Sequence, residues 1–205
     1  TGLLSIGGNL GKTKFNYEAS IDHAVFDKIY LGSLKSKGSY NGSFLSVEYA
    51  ESNDNLNKIF SRGDVPFDLN LNSDKFGQFF ENKNINYTAS AKLTSMPFLS
   101  PYINELDSIS GTVNIDLSLL GPSSAIIRNG EITLSNSSVY TMLINNPIIS
   151  VNGKGVLDNN ILNIENFKGS SVNIRDNNFG KIRDNIKVSG SIDFSKFFKP
   201  NYDLI

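Results

Sequence analysis

The chain has 205 residues, 19 basic and 20 acidic, with one histidine, no cysteine, no tryptophan and a formal net charge of −1. That length can bury a core, and charge spread this evenly offers no footprint for nucleic acid or an anionic membrane. Without cysteine there are no disulfides, thiolate metal sites or cysteine nucleophiles, and a lone His23 cannot build a multi-histidine zinc site.

Near the start, Gly11-Lys12-Thr13 invites comparison with a phosphate-binding loop. Such a loop needs a glycine five positions before Gly11, and that residue is Ile6. The residues after Thr13 are also wrong for it. Phe15, Tyr17, Ala19 and Ile21 alternate with Asn16, Glu18, Ser20 and Asp22, a period of two that marks a strand where a helix would be required. The same alternation marks Phe67 to Leu71, Ile85 to Leu93 and Gly111 to Leu119. It continues in the pairs Ile132/Leu134, Ile149/Val151, Leu162/Ile164, Val172/Ile174, Ile186/Val188 and Ile192/Phe194.

Turn signals fall between these segments at Asn41-Gly42, Arg128-Asn129-Gly130, Asn152-Gly153, Asp158-Asn159-Asn160 and Asp176-Asn177-Asn178. The 27 Asn and 27 Ser, about a quarter of the chain, also favour turns over helix interiors. At about 12 residues per strand plus turn, the chain should supply roughly 17 strands. One apolar and one polar face per strand specifies antiparallel pairing, because parallel sheets covered on both sides read as continuous apolar runs. Helical signal is confined to two short stretches. Ser73 could cap a turn carrying Phe76, Phe79 and Phe80, and Pro97 to Leu106 could form another. No apolar run approaches the roughly 18 residues of a membrane helix.

Residues 37–48 (KGSYNGSFLSVE) align without gaps to residues 154–165 (KGVLDNNILNIE). Lys37/Lys154, Gly38/Gly155, Leu45/Leu162 and Glu48/Glu165 are identical, which suggests a repeated hairpin. His23 reads as a surface residue, and Glu48 and Glu165 as solvent-facing partners of Val47 and Ile164. Asn41-Gly42-Ser43, Asn86-Tyr87-Thr88 and Asn136-Ser137-Ser138 match the glycosylation sequon by chance in so Asn-rich a chain. No catalytic cluster and no metal or cofactor site emerges, so the reading is of a non-enzymatic all-β protein.

Residues 109–205 follow a more specific order: ISGTVNIDLSLLGP, NGEITLSNSSV, VNGKGVLDNNILNIENFKGSS and NIKVSGSIDFSKFFKPNYDLI. This resembles the C-terminal TamB domain of the AsmA-like group. Residues 1–108, with IGGNLGKTKFNYEAS and LGSLKSKGSYNGSFLSVEYAES, are similar to preceding units of the same repeat. The resemblance implies a long, curled, antiparallel-rich sheet shaped like a taco, with an apolar interior and an open seam. It also implies a periplasmic section of an inner-membrane-anchored protein, excised from a longer chain. Its expected partners are phospholipid acyl chains, an outer-membrane β-barrel and further repeats of the same chain. Its expected role is phospholipid transport between membranes, assembly of outer-membrane proteins, or both. The expected lining is Val113, Ile115, Leu117, Leu119, Ile132, Leu134, Ile149, Val151, Leu162, Ile164, Val172, Ile174, Val188, Ile192 and Phe194.

Two other functions compete on the residues alone. An adhesin or glycan-binding β-sandwich or solenoid would need solvent-facing aromatic platforms. A β-helical polysaccharide enzyme would need clustered Asp, Arg or Lys on one strand face.

Overall fold

The computed structural model describes residues 1–9, 12–26, 29–95, 106–141, 147–171, 186–195 and 201–205. Twelve strands and no helix form among them. These are β1 (Gly2–Asn9), β2 (Lys12–Phe26), β3 (Ile29–Tyr40), β4 (Leu45–Asn53), β5 (Lys58–Val65) and β6 (Asn84–Ser95). The rest are β7 (Leu106–Pro122), β8 (Ile127–Thr141), β9 (Ile148–Asp158), β10 (Ile161–Ser171), β11 (Ile186–Asp193) and β12 (Asn201–Leu204). They lie in chain order in one antiparallel sheet that is not closed, so β1 and β12 each have one neighbour. The alternation therefore gives the all-β class expected from it.

Among the described residues there are 12 strands where roughly 17 were expected of the whole chain, and several of them run long, up to the 17 residues of β7. Two of the expected turns lie inside strands. Arg128-Asn129-Gly130 belongs to β8, and the turn before it uses Pro122, whose carbonyl accepts a hydrogen bond from the Ala125 N–H. Asn152-Gly153 belongs to β9. Asn129 instead accepts the Asn159 N–H of the next hairpin turn at 2.9 Å. That turn does form where expected, with Asn159 and Asn160 at φ +47° and +71°, the left-handed pair that matches the twist of a two-residue hairpin.

The stretch 67–71 is not a strand either. Its polar side chains bond to nearby backbone and to one another, which competes with a sheet ladder. The expected helical turn after Ser73 is a series of isolated turns, such as Phe76 N–H to Ser73 carbonyl and Gln78 N–H to Lys75 carbonyl. The expected turn from Pro97, the strand pair Val172/Ile174 and the turn at 176–178 lie outside the described residues, except that Leu106 begins β7.

The aligned hairpins have the same register. Tyr40 pairs with Leu45 and Gly38 with Val47, and at the aligned positions Leu157 pairs with Leu162 and Gly155 with Ile164. Both ladders then slip, immediately after Val47 and after Ile164. Glu48 and Glu165, the next residues, are both exposed at these bulges. The sequence echo is thus a structural one.

The chain divides into two compact units, one of residues 1–90 with 117–128 and one of residues 91–116 with 129–205. Within the second, each successive strand from β6 to β10 buries one aliphatic side chain: Leu93, Val113, Leu134, Val151 and Ile164, all at 7% exposure or less. Each such burial contributes on the order of 2 kcal/mol. In the first unit the buried apolar side chains include Ala24, Tyr40, Pro66 and Ile85.

Candidate functional site

The second unit's aliphatic face is built by register. Ile132 pairs with Gly155, Gly155 with Ile164 and Ile164 with Gly190, while Leu157, Leu162 and Ile192 form the parallel row. Directly paired residues point to the same side of an antiparallel sheet. This face therefore carries Ile132, Leu134, Leu162, Ile164, Val188 and Ile192 of the expected lining. Val113 joins them, since Asn114, its neighbour on the other side, donates to Thr133 of the polar face at 3.3 Å. Ile115 keeps the same phase. Leu117 and Leu119 continue that phase along β7 but belong to the first unit. Phe194 lies just past β11, half-buried, its N–H bonded to the Asn160 carbonyl.

Bulges shift this face in ways the period of two misses. Ser150, at φ +53°, sits where the register of β9 slips by one residue. Ile148, rather than Ile149, then shares a side with Val151: a Cβ on Gly169 would lie 2.7 Å from Cγ2 of Ile148 and 3.0 Å from Cγ2 of Val151. Ile149, paired with Ser170, is removed from the lining by this slip. In β8, Asn136 at φ +47° turns Ser137 inward, where it is fully buried and donates to the Thr112 carbonyl at 3.3 Å. Gly111 at φ +107° makes room for it, because a Cβ there would stand 2.5 Å from Cα of Ser137. The Asn-Ser pair that reads as a sequon is therefore a bulge.

Burial grades along each strand. Leu162 and Phe167 flank buried Ile164 and are half-buried, as are Ile132 beside Leu134 and Ile115 beside Val113. Gly153 and Gly155 add no side chain between them. The result is a narrow buried row with partly exposed aliphatic margins, on a face that offers no charged group along these rows.

The corresponding side of the first unit differs in chemistry. Tyr17 and Ser36 share a hydrogen bond at 3.2 Å, Ser61 and Tyr87 one at 2.8 Å, and Ser52 donates to the Leu31 carbonyl. Its aliphatic content is diluted by paired hydroxyls. A depression of about 580 Å³ in this unit is lined by Leu3, Glu18, Lys37, Glu48 and Asp64, among others. Glu48 accepts from the Lys37 ammonium at 3.2 Å and raises its pKa. Lys154 is not paired with the equivalent Glu165 but reaches across to Glu131 at 2.6 Å. Both are exposed surface pairs. Among the described residues no group of three His, Cys, Asp or Glu could hold a metal ion.

One polar cluster is built into the first unit that the strand-like alternation of residues 67–71 does not reveal. Asp68, 4% exposed, accepts the Asn70 N–H, the Asn70 side-chain amide and the Ser73 hydroxyl. These donors, the Ser73 hydroxyl foremost, hold its carboxyl below the usual carboxylate range. Asn70 in turn accepts the Thr13 N–H at 3.1 Å and donates to the Gly42 carbonyl at 3.1 Å. Tyr40 accepts the Leu69 N–H at 2.9 Å, and burial raises its phenol pKa. The cluster ties residues 66–73 to β2, β3 and the β3–β4 turn. It is fully satisfied, so it is a clasp rather than a reactive centre.

No family model, no curated protein and no solved structure matches the chain.

Proposed function

We propose that the aliphatic face of the second unit carries phospholipid acyl chains, in a TamB-like, periplasmic section of an envelope-spanning protein. The observation that carries this reading is the graded burial: one deeply buried aliphatic residue on each of β7, β8, β9 and β10, with partly exposed aliphatic neighbours, in a sheet that is not closed. A two-layer core would bury several alternate residues on each strand. An unsheathed acyl chain costs roughly 0.8 kcal/mol per methylene in water, about 12 kcal/mol for sixteen carbons. An apolar, unreactive surface lowers that cost without chemistry, which fits a carrier and not an enzyme. Its partners on this reading are phospholipid, further repeats of the same chain and an outer-membrane β-barrel whose assembly or lipid supply it serves.

The test is site-specific photo-crosslinking in cells. A photoreactive residue at Ile115 should capture phospholipid, and one at Asn114 or Asp116 should not, because adjacent residues face opposite sides of a strand. Equal capture from both faces would rule the reading out.

A further inference from the structure

Residues 66–83 leave the sheet after β5 and return at β6, and they are firmly braced. Phe67 and Phe79 form an isolated bridge with their rings edge-on at 5.3 Å. The Phe80 N–H bonds to the Pro66 carbonyl, and Asp68 exchanges backbone bonds with Gln78 and Gly77. The Lys83 ammonium stands 5.1 Å from the Phe44 ring and 4.9 Å from the Phe80 ring. The Asp68–Asn70 clasp holds the other end.

This braced segment nevertheless presents large apolar side chains to solvent: Leu71 at 59%, Phe76 at 54% and Phe79 at 46% exposure. A connection needed only to join two strands would be expected to carry polar residues there. Fixing the backbone while leaving such side chains exposed lowers the conformational cost of burying them in something else.

We propose that residues 66–83 are a membrane-docking loop, which inserts Leu71, Phe76 and Phe79 into the interfacial layer of a phospholipid bilayer. Size favours a bilayer over a protein. Large side chains bury roughly 150–250 Å² each, so three that are about half exposed offer on the order of 300 Å². A stable protein interface needs about 800 Å² from each partner, matched in shape. A bilayer takes up isolated projecting side chains without complementarity. Charge gives the lipid preference. Within residues 66–83, Asp68, Asp74 and Glu81 outnumber Lys75 and Lys83 by one, so insertion is driven by apolar burial and does not depend on anionic lipid. The proposal stands independently of what the second unit carries.

The chain has no tryptophan, so Phe76→Trp supplies a single tryptophan at the loop, which can be excited selectively over the tyrosines. With vesicles of phosphatidylcholine alone its emission should shift to the blue, and acyl-brominated lipid should quench it. High salt should change neither result. Adding Leu71→Ser and Phe79→Ser should weaken vesicle partitioning by at least about tenfold, with an unchanged circular-dichroism spectrum. If those substitutions disturb the fold, the depth of quenching in Phe76→Trp alone decides the matter. An absent shift, or one that needs anionic lipid and vanishes in salt, overturns the proposal. So does a shift that instead tracks a Leu71-dependent dimer in sedimentation.

Discussion

A methyl group on Gly153 would stand 1.9 Å from Cδ1 of Phe167 and 2.8 Å from its Cα. The ring of Phe167, placed by the bulge in β10, lies directly on the bare backbone of β9. Gly153→Ala should therefore force both strands apart and cost about 2 kcal/mol, the range of an overpacked core. Gly77→Ala is the control. At φ +82° with nothing within 4 Å, it should cost only about 1 kcal/mol of backbone strain. Denaturant unfolding of the two variants should give that order, and the reverse order would refute the account.

The clasp gives a pH signature. The Asp68 carboxyl is held below its ordinary 3.8 by its donors. Its contribution is therefore complete above that value and is lost as pH falls through the lower, folded-state value. The stability gap between the wild type and Asp68→Asn should be constant near neutral pH and close in acid below about 4. Asn70→Ala, which strands the Thr13 N–H and the Gly42 carbonyl, should cost about 1–3 kcal/mol. A gap that persists unchanged in acid would show that the carboxylate is not the source.

Glu48 and Glu131 pair with lysines in the open, at 63% and 41% side-chain exposure. Solvent and salt screen such pairs. Glu48→Gln and Glu131→Gln should each leave the unfolding midpoint within experimental error. A marked drop for Glu48→Gln would mean that the bulge it occupies needs the charge.

Much of the fold is legible because strand alternation is a local property. Gly111 to Leu119 and Ile85 to Leu93 read directly as strands, and the echo of residues 37–48 in 154–165 preserves even the cross-strand register. What fails is whatever depends on a neighbour. Asn152-Gly153 carries the composition of a turn, but its glycine serves the Phe167 ring one strand away. The slip at Ser150 puts Ile148 in the lining in place of Ile149, and nothing in the local pattern marks it. Asp68 and Asn70 alternate with Phe67, Leu69 and Leu71 like strand residues. Their partners Thr13 and Tyr40 lie 57 and 30 residues from Asn70, and only the fold brings them together. The one usable hint was the density of Asp, Asn and Ser from 68 to 74, more than a strand needs.

Val113 and Ile115 share one face of β7, two residues apart, yet Val113 is 1% exposed and Ile115 is half-buried. That difference separates a carrier surface from a dry core. An arginine at Val113 would bury an unpaired charge with no route to water, and Val113→Arg should abolish cooperative unfolding. An arginine at Ile115 can lay its stem along the aliphatic margin and extend its guanidinium outward. Ile115→Arg should therefore fold, at a cost of about 1–2 kcal/mol, while its charge and bound water obstruct an acyl chain. In cells the folded Ile115→Arg protein should then capture less phospholipid from a photoreactive residue at Leu162, on the same face. If Ile115→Arg unfolds as completely as Val113→Arg, the margins are as dry as the buried row. The face would then be a core, leaving no room for lipid.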